Sequence, residues 1–358
     1  SFIDSRGSYY MDSMNVVLTE NHFDSKDINL NCDFLEAELK GIVNFDGLAN
    51  SFKNYVMNHF HVNKWSRKGM KLKDNLQDFY VNMTLKDTKT LSRLLMPQLD
   101  ISDNTRITAT YTSNNYQLYS TIESDFVRYN NLIFNDLYLK NKTDLKKTTA
   151  NVRLKEFVFK ERTESNPVKL SMENIDFMVD AHSDSLLFDL AWNDDAIEDR
   201  NKGLIEASYV LNDFGSRLNL FASDIIVNDS VWSLSPNCYV DFFKNKIYIN
   251  GFDISSGDQS VNINGDFPKT NMDTLMLNFN KLDISNFDLL TSSIGIDFDG
   301  IVDGDVHLSG LSDNFTLLSN LDIEDIGINS YVIGNAFVDA VWNSQDTSIF
   351  IDTEIIRH

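Results

Sequence analysis

The chain is dominated by short runs in which apolar and polar residues alternate. Between Ile175 and Ala181 every second residue is apolar, and most positions between them are polar. A polar turn at 182–185 leads to a second alternating run, from Leu186 to Trp192. Alternation with a period of two is typical of strands that have one dry face. Two such runs joined by a polar turn predict an antiparallel hairpin.

The same design returns along most of the chain. Gly (15) and Pro (4) are scarce, so the turns rely on Asn, Asp and Ser, whose side chains satisfy turn backbones locally. The segments 261–265 and 306–310 are similar to each other, and Trp192-Asn193 is similar to Trp342-Asn343. We interpret these similarities as weak internal repeats of a strand-based unit.

Two segments break the strand pattern. Residues 48–60 carry aromatic and aliphatic side chains at helical spacing, and 88–96 do the same until Pro97 ends the run. Asp87 or Thr88 is a suitable cap for the second segment. Both segments are predicted to be short helices lying over the sheet. In the first, the apolar positions at helical spacing are Phe52, Tyr55, Val56 and Phe60.

We expect two segments, 1–100 and 101–358. The first is interrupted by the helices, whereas the second reads as β throughout. A stack in which each strand contacts only its neighbours suits such monotonous short strands better than one compact sandwich. The predicted class is all-β.

The charge balance excludes some partners. With 53 acidic and 31 basic residues the formal charge is −22, which argues against nucleic acid and against an anionic membrane surface. No apolar run approaches the ~20 residues that cross a bilayer. Residues 1–10 lack a signal-peptide pattern, and we expect the chain to be an internal piece of a longer protein.

Cys32 and Cys238 are the only cysteines. Without a CxxC pair or a His/Cys constellation, zinc is not expected. We expect two unpaired buried thiols; a long-range disulfide in an oxidising compartment is the alternative.

The remaining polar clusters do not form a catalytic or metal-binding constellation. An acidic group could hold calcium or act as a carboxylate pair, but its spacing fits no EF-hand, so we interpret it as a solvated loop. His59 and His61 lack a third ligand. A basic run could meet lipid headgroups or an acidic neighbour, although an exposed loop is the preferred interpretation. We expect no catalytic residue, no metal and no cofactor. The acidic group is Asp194, Asp195, Glu198 and Asp199; the basic run is Lys64, Arg67, Lys68, Lys71 and Lys73.

Several motifs occur in an order that resembles the TamB-type proteins of Bacteroidota-like bacteria, members of the AsmA-like, repeating β-groove group. The resemblance extends from about residue 30 to 355. Each motif is loose, and their order is the stronger signal. The motifs are the segments 39–45, 48–52, 74–76, 84–88, 95–99 and 304–310, the last leading to 320–323.

The resemblance implies an elongated β-groove (β-taco) in the periplasm. In that family an anchor holds the protein in the inner membrane, and a C-terminal domain engages an outer-membrane Omp85-family partner. The groove shields phospholipid acyl chains in transit between the membranes, or assists outer-membrane protein assembly. This chain shows neither the anchor nor that C-terminal domain, so partner docking would depend on a missing part.

Under this resemblance, the alternating apolar residues line the groove. Periodicity alone leaves a sealed core equally open. A scaffold or chaperone-like module that accepts other strands at its edges is the alternative function, and self-pairing at such edges is expected. A polysaccharide-acting enzyme is the third interpretation. The expected lining residues are Ile175, Phe177, Val179, Leu186, Phe188, Leu190, Trp192, Val261, Ile263, Phe267, Leu275, Leu277, Phe279, Val306, Leu308, Val338 and Trp342.

Overall fold

The protein is all-β in a computed structural model, which confirms the predicted class. Strands account for 76% of the structure, and the described chain contains two α-helices. The structure describes residues 2–4, 7–9, 12–20, 24–59, 76–144, 147–160, 170–182, 184–193, 201–211, 215–227, 230–243, 246–267, 273–287, 298–310, 315–329, 331–343 and 348–356.

The chain divides into two units. Unit 1 comprises Ser1–Lys160 and Ser171–Leu190, and unit 2 comprises Glu161–Leu170 and Ala191–His358. The boundary that the sequence places near residue 100 stays a prediction.

Unit 1 is built from antiparallel strands and contains both helices. The helices follow the fifth and sixth strands, and they lie where the sequence predicts helices, near 48–60 and 88–96. The elements are β1 (Phe2–Asp4), β2 (Gly7–Tyr9), β3 (Met14–Glu20), β4 (Ser25–Cys32), β5 (Leu35–Ile42), α1 (Phe45–His59), β6 (Asp78–Leu85), α2 (Thr88–Leu95), β7 (Leu99–Ile101), β8 (Arg106–Thr112), β9 (Gln117–Tyr129), β10 (Leu132–Thr143), β11 (Thr148–Lys160), β12 (Leu170–Ala181) and β13 (Ser185–Asn193), the last of which continues into unit 2 at Ala191.

The registers in unit 1 place apolar side chains in one row across the sheet. Residues directly opposite each other in an antiparallel pair share a face, because side chains alternate between faces along each strand. Every member of the row is half-buried. The row runs from β4 to β11 through Leu30, Ala37, Met83, Ile107, Ile122, Leu139 and Val152.

Helix α1 begins at a polar anchor. The side chain of Asn44 accepts a hydrogen bond from the Gly47 N–H (2.9 Å), as an N-cap does. The fully buried Gln77, just before β6, accepts from the Asn44 N–H and donates to the Asn44 carbonyl, both at 2.9 Å. These bonds fix the start of the helix against the neighbouring strand.

Helix α1 lies over the sheet, as expected, but through polar side chains. The Tyr55 and Thr143 hydroxyls are 2.8 Å apart, and the Ser51 and Tyr111 hydroxyls are 3.0 Å apart. Phe52, which its spacing placed on the buried face, is 54% exposed. The predicted apolar stripe is therefore wrong at Phe52, because hydrogen bonds to the sheet set the orientation of the helix.

Helix α2 confirms its predicted cap and end. Asp87 is the N-cap and accepts from the Thr90 N–H, and the helix ends at Leu95, two residues before Pro97. The buried Thr88 hydroxyl donates to the Ile101 carbonyl at 2.5 Å, which ties the first turn of the helix to β7.

Unit 2 contains antiparallel strands and one short 3-10 helix in its described part. Two long strands each pair with a pair of shorter ones: β14 with β15 and β16, and β19 with β17 and β18. The elements are β14 (Lys202–Leu211), β15 (Gly215–Leu220), β16 (Ser223–Val227), β17 (Ser230–Leu234), β18 (Cys238–Phe243), β19 (Ile247–Ser256), β20 (Gln259–Asp266), β21 (Thr274–Asp283), a 3-10 turn (Ile284–Phe287), β22 (Phe298–Ser309), β23 (Thr316–Ile328), β24 (Tyr331–Asn343) and β25 (Ser348–Ile356).

Both cysteines are free and buried, which confirms the expected unpaired thiols. Cys238 ends up 1% exposed, and this burial raises the pKa of its thiol. Both are therefore small apolar side chains of the interior.

Candidate apolar binding face

Unit 2 carries a continuous row of apolar positions across five neighbouring strands. Val261 on β20 lies opposite Phe279 on β21, and Phe279 lies opposite Gly304 on β22. Gly304 pairs in turn with Leu321 on β23, and Leu321 with Val338 on β24. At the usual strand separation the row is roughly 20 Å long. We call this row and its neighbours the apolar face of unit 2.

A parallel row extends this face along the strands. Ile263 lies opposite Leu277, and Leu277 lies opposite Val306. One step further, Leu275 pairs with Leu308. Because successive rows differ by two residues, the expected lining positions of β20, β21 and β22 share one face. These residues therefore share a face, as the alternation in the sequence predicts; that they line a groove stays a prediction.

One row on the opposite face of the same strands is polar. Asn278 lies between Asn262 and Asp305, and Asp305 lies opposite Asn320. The Asn320 side chain donates to Asp339 at 3.0 Å. Such a ladder of amides and carboxylates belongs to a wet surface, and it contrasts with the apolar rows behind it.

One end of the apolar face is closed by a buried cluster. Trp232, Leu282, Val302, Ile323 and Ala336 form it, and their exposed fractions run from 1% to 9%. The half-buried side chains packed against this cluster include three expected lining residues; the full set is Ile225, Ile254, Val261, Phe279, Ile284, Leu321, Ile326 and Val338.

Away from that cluster, the apolar face is only half-buried. Ile263, Leu275, Leu277, Val306 and Leu308 all retain intermediate exposure. In a closed core of this strand count such residues would reach the few-percent exposure of the cluster. The exposed fraction of the apolar side chains therefore rises from the cluster to these positions along the strands.

Glycine shapes the row at Gly304. Its φ is +129°, a region that L side chains rarely adopt, and an added Cβ would lie 2.1 Å from the Asn320 carbonyl oxygen. The gap left in the row lies between the side chains of Phe279 and Leu321. The absence of a side chain at Gly304 thus allows β22 and β23 to approach each other closely at this point of the row.

Gly203 makes room for an indole. A Cβ there would lie 2.4 Å from the Trp192 ring and 2.8 Å from Ile225. Trp192, an expected lining residue, therefore packs over Gly203 of β14 and near Ile225, a neighbour of the buried cluster. It belongs to the packed part of the face.

The expected lining residues of β12 and β13 lie on neighbouring strands of unit 1, in the hairpin that the sequence predicts. The rings of Phe177 and Phe188 stack with centroids 6.3 Å apart and planes 11° from parallel. Ile175 is 7% exposed, whereas Leu187, on the other face, is 41% exposed. The remaining lining residues of this hairpin, Val179, Leu186 and Leu190, are half-buried.

Two expected lining residues lie at the margin of unit 2. Phe267 follows β20 and is 37% exposed. Trp342, near the end of β24, is half-buried and its ring centroid is 5.6 Å from that of Phe315.

The buried cluster was missed because bulges shift the alternation. The register slips between Phe279 and Leu282 on β21, where Lys281 has a φ of 45°, and between Ile323 and Ile326 on β23. A bulge inserts an extra residue, so apolar side chains three apart, rather than two, share the face. In the sequence, a glycine within a strand run is a signal of such a bulge, and Gly300 lies at a register shift of β22.

The other candidate groups do not assemble with this face. His59 is buried, and its Nε2 lies 2.7 Å from the Tyr116 carbonyl oxygen in unit 1. His61, the acidic group 194–199 and the basic run 64–73 lie outside the described residues.

No helix within the described ranges combines the length and apolarity needed to span a membrane. No protein-family model, no curated protein and no solved structure matches the chain.

Proposed function

We propose that the chain binds lipid acyl chains along its apolar faces and lets them move from row to row, as the periplasmic segment of a protein that carries phospholipid between inner and outer membranes. One observation carries the proposal. Apolar residues in register across β20 to β22 stay half-buried away from the cluster around Trp232.

The energetics of such a face suit a mobile lipid. Complete removal of a methylene from water contributes ~0.8 kcal/mol. Ten methylenes shielded on one side only would gain about 4 kcal/mol, a millimolar-range affinity. Neighbouring rows offer similar side chains, so displacement by one row changes the binding free energy little. Weak, repeated binding of this kind favours passage over storage.

No covalent step is part of the proposal. The face consists of aliphatic and aromatic side chains, and the polar ladder of Asn278 and its neighbours lies on the opposite side of the same strands. A charged headgroup would remain in water beside the face. In the family that the chain resembles, docking to an Omp85-family partner uses a C-terminal domain.

Site-specific photo-crosslinking in living cells tests the proposal. A benzophenone side chain replaces Leu277 on the apolar face, and the matched control replaces Asn278, the next residue of the same strand on the polar face. Mass spectrometry then identifies what is attached. Phospholipid adducts at position 277 and not at 278 are expected.

Two other outcomes would redirect or reject this function. An extended protein segment attached at position 277 would favour the scaffold for outer-membrane protein assembly. If neither lipid nor protein attaches at 277 while the variant is folded, the half-buried face has no ligand and the proposal fails.

A further inference from the structure

Unit 1 carries a cavity of about 480 Å³ that is rich in cations. Its lining includes one carboxylate and one apolar side chain, and it belongs to a chain of formal charge −22. Four cations close together repel one another, and basic residues are the minority in this acidic chain, so their clustering indicates a binding role. The lining residues are Lys140, Lys142, Asp144, Lys147, Thr149, Asn151, Arg153 and Met178.

Strand register brings these side chains together. Lys140 and Lys142 alternate on β10, where they lie opposite Asn151 and Thr149 of β11. Leu139, the residue before Lys140, belongs to the apolar row on the other face of the sheet of unit 1. The cavity therefore opens on the polar face of the sheet and is independent of the proposed lipid-binding face.

Part of the cavity wall is held by carboxylates. Asp180 on β12 lies 3.3 Å from the Lys147 ammonium and accepts from the Thr149 hydroxyl at 2.5 Å. The Asn151 amide donates to Asp176. Burial acts to raise the pKa of Asp180, but the bonds from Thr149 and Lys147 hold that pKa below its usual value. These hydrogen bonds fix the side chains on this side of the wall, where two carboxylates face one ammonium.

The other cations remain available. Arg153 is positioned by the Tyr138 ring, with its guanidinium carbon 4.8 Å from the ring centroid. Within the described part of the chain, no ion pair engages Lys140, Lys142 or Arg153. All three are exposed. They present ammonium and guanidinium donors to one volume.

We propose that this cavity binds a phosphate group, either as a soluble phosphate or as a lipid headgroup. A phosphate carries up to two charges and several acceptor oxygens, which matches donors converging from three cations. A carboxylate, with two oxygens and one charge, would leave part of this donor set unmatched. Thr149 and Asn151 border the same volume, and their side chains are held in place by hydrogen bonds to Asp180 and Asp176.

Titration with inorganic phosphate at constant ionic strength, followed by amide and side-chain NMR shifts, tests the site. Saturable shifts confined to β10 and β11 are expected. The double variant Lys140→Gln/Lys142→Gln should weaken binding at least tenfold, since it removes two of the three charged donors. Arg153→Gln should weaken it by a similar factor.

Lys40→Gln is the matched control. Lys40 is an exposed lysine of the same unit, but it pairs with Glu38 and lies outside the cavity. Loss of affinity in this variant equal to that of the double variant would show charge attraction without a site and would overturn the proposal. Shifts that do not saturate, or that chloride reproduces, would overturn it as well.

Vesicles separate the two sources of phosphate. If the wild-type chain also binds phosphatidylglycerol vesicles, and the double variant and Arg153→Gln do not, the ligand is a headgroup. If inorganic phosphate binds and vesicles do not, the ligand is soluble, as the overall charge of −22 favours. Circular dichroism of each variant checks that the sheet is retained.

Discussion

Two leucines on the same strand distinguish an open apolar face from a sealed one. Leu282 belongs to the buried cluster and is 5% exposed, whereas Leu277 lies on the half-buried part of the face. Both occur on β21, and substitution by alanine removes the same atoms from each. The difference between the two costs therefore reports on the surroundings alone.

The expected magnitudes follow from burial. Leu282→Ala removes three carbons from a closed environment, about 2.4 kcal/mol of transfer free energy, and the residual cavity brings the cost to about 3–4 kcal/mol. At Leu277 the side chain is partly hydrated already, and an open face leaves no enclosed cavity. We expect Leu277→Ala to lower the free energy of unfolding by about 1–1.5 kcal/mol.

Urea unfolding followed by tryptophan fluorescence measures both values. Trp232 belongs to the cluster that contains Leu282, so its emission reports the unfolding of this region. The comparison uses the shift of the midpoint at an unchanged m value. If the two variants lose the same stability to within ~0.5 kcal/mol, the face around Leu277 is a sealed core. The lipid-binding proposal would then lose its structural basis.

Two further predictions concern backbone space and charge. Gly304→Ala should destabilise the protein by about 3 kcal/mol or more, because the added Cβ would collide with the Asn320 carbonyl oxygen. Gly257→Ala is the control: its φ is also positive (57°), but nothing lies within 4 Å of the added Cβ, so it measures the cost of a positive φ without a collision. Equal losses of stability in urea unfolding would contradict the collision. Asp180→Asn should cost about 1–2 kcal/mol at pH 7. Because folding lowers the pKa of Asp180 below 3.8, the stabilisation by its carboxylate is present above that value and is lost as pH falls through the folded pKa. The free energies of unfolding of the wild-type protein and of Asp180→Asn should therefore converge in acid. A stability difference that persists in acid would contradict this reasoning.

Local physics explains how much of the fold could be predicted from the sequence. Alternation predicted the hairpin of β12 and β13, and the stacked Phe177 and Phe188 rings confirm its pairing. The cap at Asp87 and the stop at Pro97 predicted α2 within one residue of its end. These signals depend on neighbours along the chain, so the sequence alone carries them.

The orientation of α1 was beyond such reasoning. Helical spacing predicts the same face for Phe52 and Tyr55, yet the Tyr55 hydroxyl is hydrogen-bonded to Thr143 whereas the Phe52 side chain is exposed. Which face of a helix is buried depends on hydrogen-bond partners from distant strands. Likewise, the cavity of Lys140, Lys142 and Arg153 exists only because two strands place them side by side.

The sequence by itself determined the all-β class, the two helices and the side on which β20, β21 and β22 carry their apolar residues, because a period of two allows no other assignment. Only the tertiary structure decided where that face is sealed. A bulge near Lys281 brings Leu282 into one cluster with Trp232, and a bulge near Asp325 brings Ile326 against it, from strands far apart in the chain. Burial depends on what lies across the face, and strand periodicity is the same whether that space is filled or open.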